Sequence, residues 1–457
     1  MHTGDVQKNW SSRMVFLMAA VGAAVGLGNI WKFPYTAGVS GGGAFVLVYM
    51  GAVLAIAIPI VMAELLIGRR ARRSPIESFK KLATEAGASR GWQITAWLNL
   101  GAAFLILSFY SVIAGWAMAY VPKLATGVFA GADANLTSGQ FAELLSSPWT
   151  LIIWHSAFMG LSVAIVARGV QHGIESAVKF LMPTLFIMLL LMVFYAAVAG
   201  DMAAAVNFLF AVDFSKITSE VVLSAVGQAF FSVSVSMGIL VAYGAYLPET
   251  VNIPKAAAII AFADTLVAIL AGLAIFPLVF GNGLDPAEGP GLIFVTLPIA
   301  FGNMPLGSLF GSVFFLLLVF AALTSSIALM EPVVAWAQEN RQVKRSVTAT
   351  IIGFAAWGTG LATVFSFNVL KDFHPIPFSP LEGKTMFDLL DFTTTNLMLP
   401  VGGILIAIFA GWILSSESTR EELGLPDGMM FRAWQLLLRI VAPLALAKVL
   451  WDGLGIS

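Results

Sequence analysis

The stretch GAAVGLGNIWKFP, residues Gly22 to Pro34, decides how this chain is read. It lies inside the first long apolar run, yet it carries Gly22, Gly26, Gly28, Asn29, Lys32 and Pro34, which a simple bilayer-crossing helix does not call for. Backbone that leaves the helix at membrane depth must be buried in protein or line a wet cavity, because a free N–H or C=O is costly in hydrocarbon. Two readings fit. The glycines let the helix unwind and bare carbonyls for a cation and amides for an anion, or the small residues let another helix pack closely.

The surroundings make the bilayer certain. Of 457 residues, 59 % are apolar and 11 % charged, and the mean hydropathy is +0.90, far from the composition of an ordinary soluble domain. Runs long enough to span, about 20 residues each, fall near 14–36, 43–68, 92–121, 149–167, 176–199, 219–246, 256–280, 308–337, 347–367, 389–414 and 433–455. This predicts an all-α polytopic membrane protein with 11 transmembrane helices in a single transmembrane domain, residues 1–457.

The tail 1–13 is polar and lacks a signal-peptide cleavage pattern, so the first span is expected to be retained. With the N-terminus inside, 17 Lys/Arg fall in cytoplasmic segments against 4 outside, namely Lys123, Lys216, Lys371 and Lys384. The positive-inside rule then predicts a cytoplasmic N-terminus and an external C-terminus. The basic residues mark topology and give no nucleic-acid patch. There is no cysteine, which excludes disulfides and thiolate metal sites.

No linker or separate soluble domain interrupts the chain. The longest loops, 122–148, 281–307 and 368–388, are expected outside, where loops of this length often act as lids. The sixth span is interrupted by FSVSVSMG, Phe231 to Gly238, five spans after the break in the first. That spacing predicts an inverted five-plus-five repeat, 14–199 and 219–414, followed by an eleventh helix at 433–455, with helices 1 and 6 unwound at a midplane site. Direct similarity between the halves is weak, so the repeat is inferred from the breaks.

Polar groups inside other spans point the same way. In ALTSSIALMEP, Thr324 and Ser325 place two hydroxyls deep in the eighth span. Uncharged oxygen ligands suit a hard monovalent cation such as sodium, although single Ser and Thr residues often bond back to their own helix. In AFADTLVAILAG, Asp264 is an intramembrane carboxylate, which costs roughly 2.5 to 3.5 kcal/mol unless paired. Basic partners are few, so a bound cation is the expected partner.

At these residues the chain resembles the neurotransmitter:sodium symporters. WSSRMVFLMAAVGAAVGLGNIWKFP, GGGAF, GQAFFSVSV and ALTSSIALMEP are similar to signature stretches of that family, in its order, over nearly the whole chain. The resemblance implies the LeuT fold, in the shorter bacterial branch with eleven spans, and a place in the bacterial inner membrane. It implies two sodium sites and no organic cofactor. The first would use the Ala24 carbonyl, Asn29, Ser232, Asp264 and the substrate carboxylate; the second would use the carbonyls of Gly22, Val25 and Ala321 with the hydroxyls of Thr324 and Ser325. The substrate carboxylate would meet the amides near Leu27 and Gly28 and the Tyr110 hydroxyl, and its side chain would lie among Ala23, Ile106, Phe231, Ser234, Met237, Ser325 and Leu329.

Departures from the family pattern sharpen the substrate. Monoamine carriers of this family carry Asp where this chain has Gly26, so a substrate with its own carboxylate is the better match. The pocket positions are apolar, which implies a neutral, hydrophobic L-amino acid. Asp264 already supplies an anion, and Ala268, one turn on, offers no ligand, so chloride-independent transport is expected. Ser236 stands where relatives tend to have Gly beside the substrate, and would narrow the pocket or add a hydrogen bond. Gly173 and Pro183 match the spacing at which bacterial relatives unwind the fifth helix, though a proline also makes a plain kink.

The same mapping gives gates. Lys32 and Asp391 would pair outside above an aromatic lid of Tyr110 and Phe231; Lys in place of the usual Arg lacks the bidentate fork and predicts a looser gate. Trp10, Tyr246 and Glu339 match inner gating positions, with Gln7 at the expected tail Arg and Lys8 as its nearest substitute. Glu331 stands where a relative has a neutral amide, and Glu64 would tie the broken sixth helix by hydrogen bonds.

Two readings from other classes compete. An intramembrane serine protease built on His155 or His172 would need a Gly-x-Ser-x-Gly elbow, which is absent, and His155 has no evident carboxylate to orient it. A sensor that binds an amino acid without moving it would carry the same site. Sodium-coupled symport by alternating access is the main expectation; the exact amino acid, the sodium number, proton counter-transport and the oligomeric state stay open.

Overall fold

The structure, a computed structural model, describes residues 10–289, 291–341 and 343–455. The described residues form helices and no strand, with helical segments over the runs expected to span, not all of them long enough to cross. The first is divided into α1 (Arg13–Ala24) and α2 (Gly28–Val39), bent by 49°. Then follow α3 (Gly43–Ala71), α4 (Arg90–Ala125), α5 (Pro148–Ala167) and α6 (Val170–Ala199). The sixth is divided into α7 (Ser219–Ser232) and α8 (Ile239–Ala245). The rest are α9 (Ile253–Gly281), α10 (Gly307–Arg341), α11 (Arg345–Ser366), α12 (Met386–Ile413) and α13 (Met429–Gly453).

Among the described residues nine unbroken helices are long and apolar enough to cross a membrane, and the bent pair α1 and α2 makes ten. With 14 and 7 residues, α7 and α8 are each too short to cross alone. This is a multi-pass membrane protein.

The breaks have local causes. The Ser12 hydroxyl caps α1 by accepting from Val15 N–H at 3.2 Å. The helix runs until Val25, whose N–H still donates to Val21 C=O at 2.7 Å but whose ψ of 107° turns the chain into extended backbone. The Asn29 side chain then folds back and accepts the Gly26 N–H at 3.0 Å, satisfying one amide that the break frees. In the sixth span Ser234, Ser236 and Gly238 take positive φ of 57°, 63° and 71° at alternate positions, which no helix can contain.

Close packing by small residues also operates, at other glycines. A Cβ at Gly68 of α3 would lie 2.0 Å from the Val241 carbonyl oxygen, and one at Gly244 would lie 2.8 Å from that of Leu65. Those two glycines bring α3 and α8 into backbone contact, so the second half of the broken span is bound to its neighbour. The fifth span, expected to be open to unwinding near Gly173, is instead one continuous helix here, begun by a wide π-type turn over Val170–Glu175.

Of the long loops, 281–307 folds inward as a short apolar helix, Leu292–Asn303. Phe294 stacks on Phe141 at 5.3 Å and meets Trp31 at 6.5 Å, and its carbonyl accepts from Tyr120 OH at 2.8 Å. The loop therefore covers the far end of the first span.

Candidate functional site

The two breaks face each other around a small cavity. Ala23, Ala24, Gly26 and Gly28 line it from the first span, and Phe231, Ser232, Ser234 and Met237 from the sixth. Ile106 and Tyr110 come from α4, and Ser325 and Leu329 from α10. Every lining residue is one that the sequence singled out for substrate. Leu27 stands behind the wall, its N–H donating to Tyr110 OH at 3.1 Å.

Ser236 is placed elsewhere than expected. It is not on the cavity wall; a Cβ at Gly402 of α12 would lie 3.2 Å from its Cβ, so its side chain points toward α12. Ser236 and Ser234 both take a left-handed φ, yet only Ser234 lines the cavity. Its N–H donates to Glu64 Oε1 at 3.0 Å, which puts Glu64 against the broken sixth span.

On one flank of the cavity Asp264, fully buried, gathers three neutral donors. Asn29 Nδ2 donates to its Oδ1 at 2.6 Å, Ser232 Oγ to its Oδ2 at 2.8 Å, and Tyr49 OH to the same oxygen at 3.3 Å. No basic side chain lies within ion-pair distance of it among the described residues. Tyr49 was not singled out from the sequence; a phenol in a second span whose other polar side chain is Glu64 is the signal that could have found it. Gln228 was missed too, and its Nε2 donates at 2.8 Å to the Gly28 carbonyl, which also accepts the Phe33 N–H.

On the other flank the break meets α10. Ser325 Oγ lies 3.2 Å from Val25 O and 3.4 Å from Ala23 O. Ser234 Oγ donates to Ala23 O at 3.0 Å, and Thr324 Oγ1 to Ala321 O at 2.9 Å. A Cβ at Gly22 would lie 3.4 Å from Thr324 Cβ, so Gly22 abuts this corner as well. The corner holds oxygens and no formal charge.

The gates differ from expectation in their pairing. Lys32 and Asp391 form no ion pair within 4 Å; the Lys32 ammonium instead lies 4.3 Å from the centre of the Phe231 ring, and Asp391 Oδ1 accepts from Thr395 Oγ1 at 3.1 Å. The Lys32 ammonium, a compact charge without the guanidinium's two-pronged match to a carboxylate, rests on the aromatic face instead. At the end carrying the N-terminal tail, Trp10 Nε1 donates to Tyr243 O at 3.2 Å and its ring meets that of Tyr243 at 5.2 Å.

Tyr246 OH donates to Glu331 Oε1 at 3.1 Å, and Glu331 is ion-paired with Arg345, a partner not foreseen. Glu339 pairs with Arg73 at 2.8 Å and accepts the Ser74 N–H at 2.8 Å. Gln7 and Lys8 lie outside the described residues. The tail is held further by Ser11, whose N–H and hydroxyl donate to the buried Glu175 at 2.9 and 2.7 Å. This end of the cavity is sealed.

Two discontinuous helices facing an enclosed cavity at mid-span, with hydroxyls and a carboxylate on its flanks, define a secondary transporter of the broken-helix type. A sequence profile of the sodium:neurotransmitter symporter family matches residues 7–137 and 140–454. A sodium-dependent transporter of Bacillus subtilis, YhdH, is 39 % identical over 98 % of this chain and 98 % of its own length. One from Haemophilus influenzae is 33 % identical over 99 % of this chain and 100 % of its own. The crystal structure of MhsT in complex with L-phenylalanine superposes with a TM-score of 0.89 at 40 % identity, covering 98 % of this chain and 99 % of that one. The chain belongs to the sodium:neurotransmitter symporter family, which consists of membrane transporters and not enzymes, and its fold is the LeuT fold.

Proposed function

We propose that the protein couples inward sodium movement to uptake of a neutral, hydrophobic L-amino acid by alternating access, without need of chloride. The observation that carries this reading is the pairing of two oxygen-rich corners on either side of one apolar cavity. Asp264 with Asn29, Ser232 and the Ala24 carbonyl would hold one sodium, and a buried carboxylate with only neutral partners suits a monovalent cation. The carbonyls of Gly22, Val25 and Ala321 with Thr324 and Ser325 would hold a second.

The amides near Leu27 and Gly28, with Tyr110 OH, would take the substrate carboxylate. The walls support the substrate class: Ala23, Ile106, Phe231, Met237 and Leu329 offer no charge to an acidic or basic side chain. MhsT, a relative at 40 % identity, was crystallised with L-phenylalanine. Lys32, Asp391, Tyr110 and Phe231 would serve the outer gate, and Trp10, Tyr246 and Glu339 the inner one.

The charge asymmetry of the loops supports a cytoplasmic N-terminus and an external C-terminus in a bacterial inner membrane, with the two five-helix repeats at 14–199 and 219–414 and the eleventh span at 433–455. Each charge moved across 100 mV contributes about 2.3 kcal/mol, and each tenfold sodium gradient about 1.4 kcal/mol. Two sodium ions per cycle therefore drive steep accumulation. Uptake of labelled amino acid into proteoliposomes with an inward sodium gradient, competed by each common amino acid, tests the reading. Retention of the label only while the gradient lasts is expected; binding without accumulation would make the protein a sensor.

A further inference from the structure

α4, α5, α10 and α11 pack on one another as one group, and α3 packs on α8 and α9 as a second, with α1 and α8 also lying against α10. Main-chain groups of a single residue, Ser236, are held by both. Its N–H donates to Glu64 Oε1 of α3 at 3.0 Å. Its C=O accepts from the side-chain amide of Asn99 on α4 at 3.2 Å, and the same amide donates to Thr95 O at 3.2 Å, in the one orientation that pairs it. Glu64, Thr95, Asn99 and Ser236 are all fully buried.

Space at this junction is reserved. A Cβ at Gly402 of α12 would lie 2.3 Å from the Asn99 amide, so only glycine leaves room for it. Stability does not account for the arrangement: Glu64 Oε2, Thr95 Oγ1 and Ser236 Oγ have no partner among the described residues, and Ser236 takes a left-handed φ that disfavours a residue with a β-carbon. An apolar filling would be the more stable choice. Ser234 and Met237, the residues flanking this junction, face the cavity.

We infer that Asn99 is a positioning residue for transport: its amide ties the α4 group to the broken sixth span through the Ser236 carbonyl, and this tie favours the arrangement sealed toward the cytoplasm. The inference rests on the alternating-access reading above. Relative movement of the two groups stretches the Asn99 bond, whereas the Glu64 bond travels with α3 and α8, which are locked at Gly68 and Gly244.

The test compares the wild type with Asn99→Leu, similar in volume and without donors, in proteoliposomes and in an Ala245→Cys background. The natural chain has no cysteine, so the introduced thiol is the sole alkylation target, and residue 245, buried at the end of α8, adjoins Tyr246, whose C=O accepts the Trp10 N–H at 3.4 Å. Loss of the tie should raise the half-saturating amino acid and sodium concentrations by about three- to tenfold, the range of one buried hydrogen bond. It should also speed alkylation of the introduced thiol from the cytoplasmic side. Asn99→Met, likewise without a donor, should act the same way if the leucine variant fails to accumulate.

The double variant Asn99→Ala with Gly402→Ala refills the space without the amide and should stay impaired; its return to wild-type affinity would show packing alone and overturn the inference. Wild-type affinity and alkylation in Asn99→Leu would also overturn it. Absence of sodium-driven uptake in the wild type would instead overturn the functional reading, while alkylation, which needs no substrate, still reports on the tie.

Discussion

The hydroxyl of Ser325 lies 3.2 Å from the carbonyl oxygen of Val25, joining α10 to the point where the first span leaves its helix. The carbonyl is free because Val25 turns extended, and the hydroxyl reaches it because small residues let α1 approach α10 closely. Thr324, one residue earlier, sits beside Gly22 and bonds to Ala321 O. The break and the eighth span thus make one oxygen cluster that neither makes alone.

Removing the hydroxyls should leave the helices intact and weaken the cation. Thr324→Ala and Ser325→Ala each delete an oxygen without changing helix propensity for the worse. Each is expected to raise the sodium concentration for half-maximal uptake by about tenfold, since one ligand to a cation corresponds to roughly 1.5 to 3 kcal/mol at most. Sodium titration of uptake reads this directly; unaltered sodium dependence in both would remove the corner from the site.

Of the glycines that line the cavity, Gly26 leaves the least room for a side chain. A Cβ there would fall 2.5 Å from Ser325 Oγ and 2.8 Å from Tyr110 OH, both on the cavity wall. Gly26→Ala is expected to cost at least tenfold in substrate affinity with little change in the melting temperature of the purified protein. Full affinity would show that Tyr110 and Ser325 yield easily.

Sodium uptake should not need chloride. Asp264 gives the first corner its negative charge, and Ala268, one turn along α9, is buried and apolar. Replacing chloride by gluconate at fixed sodium should leave uptake within about twofold, by the charge balance of a site that holds its own anion. A collapse of transport in gluconate would show that Asp264 does not fill that part. Asp264→Ala should abolish sodium-dependent binding altogether.

Much of this was legible in the sequence because membrane physics is strict. Long apolar runs give helices, and glycine or serine clusters within them are noticed against that background, so Gly22 to Asn29 and Ser232 to Met237 stood out as cavity residues. Other contacts hid because they join residues far apart in sequence through ordinary chemistry. Tyr49 reaches Asp264 across 215 positions, and Arg345 reaches Glu331 over a helix turn-back that no pattern announces. Ser236 was misplaced because its facing depends on the irregular backbone between α7 and α8, whose course no residue-type pattern gives.

The tail plug is expected to be a working part of the inner gate. Trp10 loses a hydrogen bond to Tyr243 O and edge-to-face contacts with Tyr243 and Tyr246 on substitution by alanine. With each aromatic contact near 0.5 to 1.5 kcal/mol, Trp10→Ala should shift the protein strongly toward the inward-open form. Sodium-dependent binding in detergent should weaken by an order of magnitude while substrate exchange persists. Binding at wild-type strength would leave the plug without a gating role.

The outer gate should depend on Phe231 more than on Asp391. Lys32 lies over the Phe231 ring at 4.3 Å and makes no ion pair with Asp391, so its attraction to the lid is that of a cation for an aromatic face. Such contacts contribute about 0.5 to 1 kcal/mol at partly exposed sites, which converts to a factor of roughly two to five in affinity. Lys32→Gln and Phe231→Leu are each expected to weaken substrate binding. A double-mutant cycle should return a coupling of that size between them, because the second change removes a contact the first has already lost. Asp391→Asn should change affinity by less than either. Strong coupling between positions 32 and 391 with none between 32 and 231 would restore the ion pair as the closing contact, and with it the view that lysine here does the work of arginine.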